Sequence, residues 1–550
     1  MNTNNQNAIT KQRHSTKSHA VATTPQQNQQ TPQANHTKQN LILLTILLAV
    51  FVVPSSISGT AIALEFIAQS FSDITHSTHT IAQSTLSPTQ ATTQSQATFS
   101  ALLQWVVNSF NLCFATFTLI WGAFADRFGA KKCLILGVFL YLIGSALSTL
   151  SLNLLLLDIA RGIAGLGGAS VFACGASILV KTFDEKHRAK AFALFGTTAG
   201  LGITLSPTIS GLLIELFSGV SIAFFDISFD ISWRSIFAFH FIVLFVVLLL
   251  SPVLPKDKKA TQDEQAAKPA FDALGAILFI GFSFSFMLFI TRISEISSPT
   301  TLWILAFSII VGIIFGVQQR YLHAQGKFPL LDFSVLGNAK FVGYMLVCVI
   351  AGFSFVVLLT YFPSFLQRTF DLSAAHSGLF MLFLTAPMLF CPIIAGKILA
   401  SAKSANTPKL LSLAMSLMMS LGLFVLIVVL RYTSGVALFV ALACVPLVIG
   451  VGMGLHAGAI DNLALSSVES AKSGFAAGVL NGFRLGSEAV GVAIYGALMA
   501  LFLSQAQSSL DFASQNLINA FSYTLWILGI FCVVLSLLVW RFLRYNAPKN

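Results

Sequence analysis

Long apolar runs constrain this chain more than any other feature. About fourteen follow one another from Leu41 onward, separated by short polar breaks, and each approaches the roughly 20 apolar residues a helix needs to cross a bilayer. They centre on 41–68, 99–124, 132–151, 153–180, 189–217, 235–254, 271–291, 301–318, 339–363, 376–398, 409–430, 435–459, 474–503 and 519–541. Continuous runs of this kind exclude a membrane β-barrel, whose strands alternate over about 10 residues. Only 9% of the 550 residues are charged, where a soluble domain carries roughly 25%. The sequence therefore predicts an all-α polytopic membrane protein.

Charge placement predicts the orientation. With the N-terminus inside, 25 of the 31 Lys and Arg fall in inside segments and only Arg234, Arg292, Arg368 and Arg431 fall outside, leaving Arg161 and Arg484 within spans. Basic residues favour the cytoplasmic side, so both termini are read as cytoplasmic and the span number as even. The net charge of +11 follows from those loops and implies no nucleic-acid partner. Residues 1–39, rich in Asn, Gln, Thr and Ser, cannot bury enough surface to fold and read as a disordered cytoplasmic tail. The first apolar run is too long for a signal-peptide core. The Ser/Thr/Gln-rich stretch 70–98 reads as a poorly ordered outside loop. The seven cysteines are scattered and read as buried packing thiols.

"WGAFADRFGAKKC", Trp121 to Cys133, places Asp126, Arg127, Lys131 and Lys132 between two apolar runs. The basic residues anchor topology, but that role does not account for Asp126. A carboxylate at a helix end can accept backbone N–H groups of a facing helix or pair with an arginine. Gly129 permits the tight turn.

Four stretches in order resemble the major facilitator superfamily, specifically its fourteen-span drug:proton antiporter branch. They are Gly122-x-x-x-Asp126-Arg127-x-Gly129-x-Lys131-Lys132; Arg161-Gly162-x-x-Gly165-x-Gly167-Gly168; Gly202-x-x-x-Ser206-Pro207-x-x-Ser210-Gly211; and "WRSIFAFHF" from Trp233. The resemblance implies a major facilitator fold: two six-helix bundles over 40–254 and 338–543, a cytoplasmic linker 255–270, two extra helices over 271–320 and a cytoplasmic tail 544–550. It also implies alternating access around a central site and a gate at Gly122, Asp126, Arg127, Gly129, Lys131 and Lys132. That gate would bridge the two bundles in the outward-open state. The second half's copy, "GKILASAKSANTPK" from Gly396, has Ala400 at the acidic position, so the intact lock belongs to the first half.

Small residues four apart at Gly202, Ser206 and Ser210, with Pro207 among them, form a ridge that lets another helix approach closely. Static packing and a sliding seam are both open readings of it. Gly450, Gly454 and Gly458 repeat the device in span twelve. Charges near the bilayer centre are expensive and mark pathways or pairs. The proton-coupling candidates are Glu488, Glu65, Arg161, Arg484 and Asp158. Arg484 and Glu488 stand four apart on one helix face and can pair; a structural pair and a proton-handling Glu488 are the alternatives. Asp158, one turn before Arg161, is its partner or lies at the interface, and Glu65 is interfacial or functional. The branch's usual span-one Asp is replaced by Ser56, and serine carries no proton at physiological pH. Either another acid carries the coupling or the coupling has changed. His240 and His456 read as interfacial.

No Walker loop or metal-ligand spacing occurs, so no cofactor, ATP drive or enzymatic activity is expected. The resulting expectation is an inner-membrane secondary transporter acting as a monomer. It would export amphipathic or cationic drugs in exchange for protons, with a small molecule, protons and the bilayer as partners. The alternatives are an exporter or facilitator of one metabolite or siderophore without the usual coupling, and a non-transporting membrane sensor.

Overall fold

The computed structural model describes residues 32–82, 88–183, 185–224, 227–257, 271–293, 296, 298–327, 329–331, 336–402, 404, 406–468, 473–505 and 513–544. Among the described residues, fourteen helices are long and apolar enough to cross a membrane. They are α1 (Thr37–Phe71), α2 (Trp105–Ala125), α3 (Ala130–Thr149), α4 (Leu154–Val180), α5 (Leu194–Leu216), α6 (Arg234–Val253), α7 (Ala273–Thr291), α8 (Pro299–Ala324), α9 (Ala339–Phe370), α10 (Ala374–Ala400), α11 (Thr407–Tyr432), α12 (Gly435–Ser466), α13 (Val479–Leu503) and α14 (Ser514–Arg544).

The short polar breaks supply the helix starts. Asn153 accepts from the Leu156 amide at 2.8 Å, Asp272 from the Gly275 amide at 2.8 Å, and Ser373 from the His376 amide at 3.3 Å. Each satisfies an N–H group that a helix start leaves without a partner.

Packing repeats between the halves. In the first, α2 and α3 pack on α4, α1 on α5, and α1 and α3 on α6; in the second, α10 and α11 pack on α12, α9 on α13, and α9 and α11 on α14. The bundles meet through α5 against α10 and α2 against α13, which is the same contact under exchange of halves. The inserted hairpin breaks this two-fold relation, because α7 packs against α2 and α13 with α8 behind it.

Several expectations need correction. The helix containing α1 spans Pro32–Ala82 and the one containing α2 spans Pro88–Phe128, so 32–39 and most of 70–98 are helical. Residues 70–87 contain neither Gly nor Pro, and Pro88 stands at the start of its helix, the position that tolerates it. Residues 1–31 and 83–87 lie outside the described residues. Between α5 and α6 stands an unanticipated antiparallel hairpin, β1 (Ser221–Phe224) and β2 (Ile227–Asp230), with Ser221 opposite Asp230. Asp230 fastens it to α1 and α6, its carboxylate accepting from Ser70 Oγ at 3.2 Å and its carbonyl from Arg234 Nη1 at 2.9 Å. Six of the seven cysteines are buried and Cys444 is exposed. His240 and His456 are fully buried, 1% and 2% exposed, not interfacial.

Candidate functional site

The centre of the first bundle is a polar knot built on the serines of α1. Arg161 of α4 donates from Nη1 to Ser56 Oγ at 2.6 Å, from Nη2 to the Ser56 carbonyl at 2.9 Å, and from Nε to the Val106 carbonyl at 3.1 Å. Its guanidinium also lies 4.5 Å from the Phe110 ring centre and 5.4 Å from that of Phe237, contacts that favour a desolvated cation. Arg161 is therefore aimed at the position where the branch usually carries an acid. Asp158 is not its hydrogen-bond partner, and Asp158 Oδ1 is buried without one. A second strand of the knot joins Ser55 Oγ to Ser206 Oγ of α5 at 2.7 Å and to His240 Nε2 of α6 at 3.1 Å. Ser58 and Thr60 bond their own helix instead, to the Pro54 and Ser56 carbonyls.

The small-residue ridge of α5 faces two helices at once. Ser206 also donates to the Ser55 carbonyl at 2.9 Å, and Gly202 and Ser210 abut Phe51 and Gly59 of α1. Toward the second bundle, a Cβ on Gly211 would lie 2.4 Å from the Ala374 carbonyl oxygen. One on Gly378 would lie 2.4 Å from that of Pro207. Only bare glycine lets the two backbones approach this closely. Thr204 and Thr208 donate across the same seam to Thr385 and Gly378, both at 3.1 Å.

Farther along, Gln367 donates to the Ile62 carbonyl at 3.3 Å, and Arg368 of α9 pairs with Glu65 of α1. Glu65 thus joins the two bundles. These bonds between the bundles, Thr204 to Thr385, Thr208 to Gly378, Gln367 to Ile62 and Arg368 to Glu65, run from mid-helix to the end distal to the Trp121–Cys133 loop. The structure is one closed at that distal end.

At the other end, Arg127 is exposed with its guanidinium 6.0 Å from the Phe128 ring centre. Gly122 lies one turn earlier in α2, and the Asp126 side chain falls outside the described residues. Gly129 has φ +103, and a Cβ there would overlap the Asp257 carboxylate. That carboxylate accepts from the Lys131 and Lys132 amides at 3.1 and 3.2 Å, while Lys131 Nζ donates to the Pro252 and Leu254 carbonyls at 3.3 and 2.6 Å. In this state the loop binds the exit of α6 in its own bundle.

The second bundle carries its own charges. Arg484 of α13 pairs with Asp461 of α12, not with Glu488 four residues on, and Arg484 Nη2 lies 3.7 Å from Cys348 Sγ of α9. Both ring nitrogens of buried His456 lack a hydrogen bond. Glu488 lies against a π-helical turn of α9, Gly352–Val356, where a Cβ on Gly352 would come within 2.9 Å of the Glu488 amide. Such turns are frequent at functional positions. Asp461 escaped the sequence reading because the apolar run ends near residue 459, whereas the helix continues to Ser466.

Between α2, α7, α8 and α13 lies an apolar cavity of about 490 Å³, walled by Leu119, Phe279, Phe286, Phe315, Gly482 and Phe483. Among the described residues, no group of three or more His, Cys, Asp or Glu side chains is placed to hold a metal ion.

Two bundles that repeat each other's packing, with buried charges and a seam closed at one end, are the arrangement of a membrane transporter. A family model described as the Major Facilitator Superfamily matches residues 46–492, and the chain belongs to that superfamily. It is 26% identical over 405 residues to the multidrug resistance protein Stp of Mycobacterium tuberculosis, covering 73% of this chain and 70% of that one. It is 24% identical over 444 residues to the riboflavin transporter RibZ of Clostridioides difficile, covering 80% and 89%. The fold is shared with a crystal structure of a bacterial homologue of the human lysosomal transporter Spinster, solved inward-facing and unoccupied. There the TM-score is 0.59 at 13% identity, over 93% of this chain and 99% of that one.

Proposed function

We propose that this protein exports amphipathic or cationic small molecules across the inner membrane in exchange for protons. The observation that carries the reading is the set of charges held inside the helical spans, Arg161 on Ser56 and Arg484 with Asp461 beside Glu488. Intramembrane charges are costly and mark ion or substrate pathways. The apolar, phenylalanine-walled cavity of about 490 Å³ suits lipophilic compounds, being within the size range of ligand pockets. Relatives named for drug efflux agree with this reading.

On the positive-inside argument the Trp121–Cys133 loop and both termini are cytoplasmic, and the state described is inward-facing. Glu488, Arg484, Glu65, Arg161 and Asp158 remain the coupling candidates. The loop from Gly122 to Lys132 serves as the cytoplasmic gate once the bundles close on that side. The working division is the one set out from sequence, with bundles 40–254 and 338–543 flanking the helix pair 271–320, and the working unit is a monomer.

Ser56 favours a second reading, export of a single metabolite without the usual coupling, and the riboflavin-transporter relative is compatible with it. Everted vesicles holding a preformed proton gradient and a fluorescent pH probe separate the two. Addition of lipophilic cations releases protons from wild-type vesicles if the first reading holds; loss of that release in Glu488→Gln vesicles assigns the coupling to α13, and release in both moves the search to Glu65. Silence in both, with folded protein present, rejects proton-coupled drug efflux.

A further inference from the structure

The Asp461–Arg484 pair lies about 7 Å, five residues, from the end of α12 on the side away from the closed seam, so it is on the open side of this state. The Asp461 side chain is 44% exposed and that of Arg484 20%, so water reaches the carboxylate more readily than the guanidinium. Arg484 has a second carboxylate one turn along its own helix, Glu488, on the same face. The groups facing the pair come from three helices. They are His456 of α12, Cys348 of α9, and Glu488 of α13, all within electrostatic reach of Arg484. Among the described residues, no charged group of α10 or α11 acts on Asp461. His456 is the unused acceptor, buried and without a hydrogen bond at either ring nitrogen.

We propose that Asp461 is the proton-binding carboxylate of the second bundle. A proton arriving from the open side neutralises it and frees Arg484 to pair with Glu488. The sequence of events balances without further reagents. Water delivers a proton to a carboxylate oxygen, the ion pair parts, and the guanidinium exchanges one carboxylate for another on α13 itself. The resulting acid is an O–H donor, and His456 is the buried acceptor within electrostatic reach. Because α13 packs against α2 across the bundle boundary, a change of partner on α13 is placed to be felt at the seam. This inference rests on the proton-coupled reading for its role in transport but not for its chemistry.

Purified full-length protein in proteoliposomes tests both parts, with ethidium as the transported probe and a trapped pH indicator. Asp461→Asn is expected to abolish proton movement with ethidium while ethidium exchange at equal pH persists, and Asp461→Glu is expected to restore proton movement. Proton movement surviving in Asp461→Asn overturns the proposal alone. Wild-type protein that moves ethidium without protons overturns the coupled reading and the role assigned to Asp461 in it.

A wild type inert toward ethidium counts against the drug-efflux reading, and infrared difference spectroscopy across a pH titration then decides the proposal. Loss of one protonated-carboxyl band in Asp461→Asn sustains it, and an unchanged spectrum overturns it. Because Asp461→Asn leaves Arg484 without its counter-charge, the neutral double variant D461N/R484Q is measured beside it, with the same band loss expected in a folded protein.

Discussion

Replacing Gly211 by alanine tests how the distal seam closes. The added Cβ would stand 2.4 Å from the Ala374 carbonyl oxygen, and its neighbours include the Ala374 carbonyl carbon at 2.8 Å and the Ala375 Cα at 2.9 Å. Ordinary contact begins at 3.4 Å, so the closed seam has to widen by the difference, 1.0 Å, and the obstacle is backbone that cannot rotate away. Overpacking of this size costs about 1–3 kcal/mol. Only the distally closed state bears that cost, so the population shifts toward the other state by about 5–150-fold.

Ser364 supplies the readout. It lies one turn before Arg368 on the α9 face that meets α1, and its hydroxyl is buried without a partner. In a cysteine-free background, Ser364→Cys is expected to react with a membrane-impermeant maleimide from the distal side faster by that factor when Gly211→Ala is added. Gly196 stands on the same helix with nothing within 4 Å of its Cβ position, so Gly196→Ala leaves the rate unchanged. Equal labelling of all three folded proteins would refute the idea that the α5–α10 glycine contact sets the closed state.

Two further outcomes follow from named contacts. Arg161→Met strands acceptors at Ser56 and Val106, at about 1–3 kcal/mol for each buried group left unbonded, and lowers the thermal midpoint in detergent. Arg161→Lys fails to restore it, because lysine lacks the planar fork that serves both Ser56 atoms, and a full rescue by lysine would contradict this account. Asp257→Ala removes the carboxylate that caps α3, a loss of about 0.5–2 kcal/mol. It speeds deuterium exchange at the Lys131 and Lys132 amides, and unchanged exchange would show that the cap contributes nothing.

Hydropathy alone locates the fourteen spans to within seven residues at either end, because each must satisfy its backbone internally while crossing an apolar medium. What it misses are stretches where the helix outlasts its apolar run. The continuation of α12 past residue 459 carries Asp461, and the α1 helix continues to Ala82 through polar residues. Arg161, Ser56 and Arg484 are each legible as unusual residues, but their partners are not. Spacing along one helix pointed Arg484 at Glu488 and Arg161 at Asp158. The structure instead joins each to a residue on another helix, Asp461 of α12 and Ser56 of α1. The reach of a guanidinium across a helix interface cannot be read from sequence separation. Gly129 is legible as a turn position and has φ +103, while its packing against Asp257, 128 residues later, depends on where α6 ends.

The inserted hairpin gives the molecule a front and a back. Because α7 lies against α2 and α13, one of the two lines along which the halves meet is shielded. The other, α5 against α10, shows Leu205, Leu212, Leu379 and Phe383 on its outer surface. On the alternating-access cycle that the resemblance implies, rocking would move one line through acyl chains and the other against the phenylalanines of α7. Changes in bilayer thickness or fluidity act on the bare line directly and on the shielded one only through α7 and α8. In such a cycle, friction and restoring force would differ on the two sides, although the two bundles repeat each other's packing.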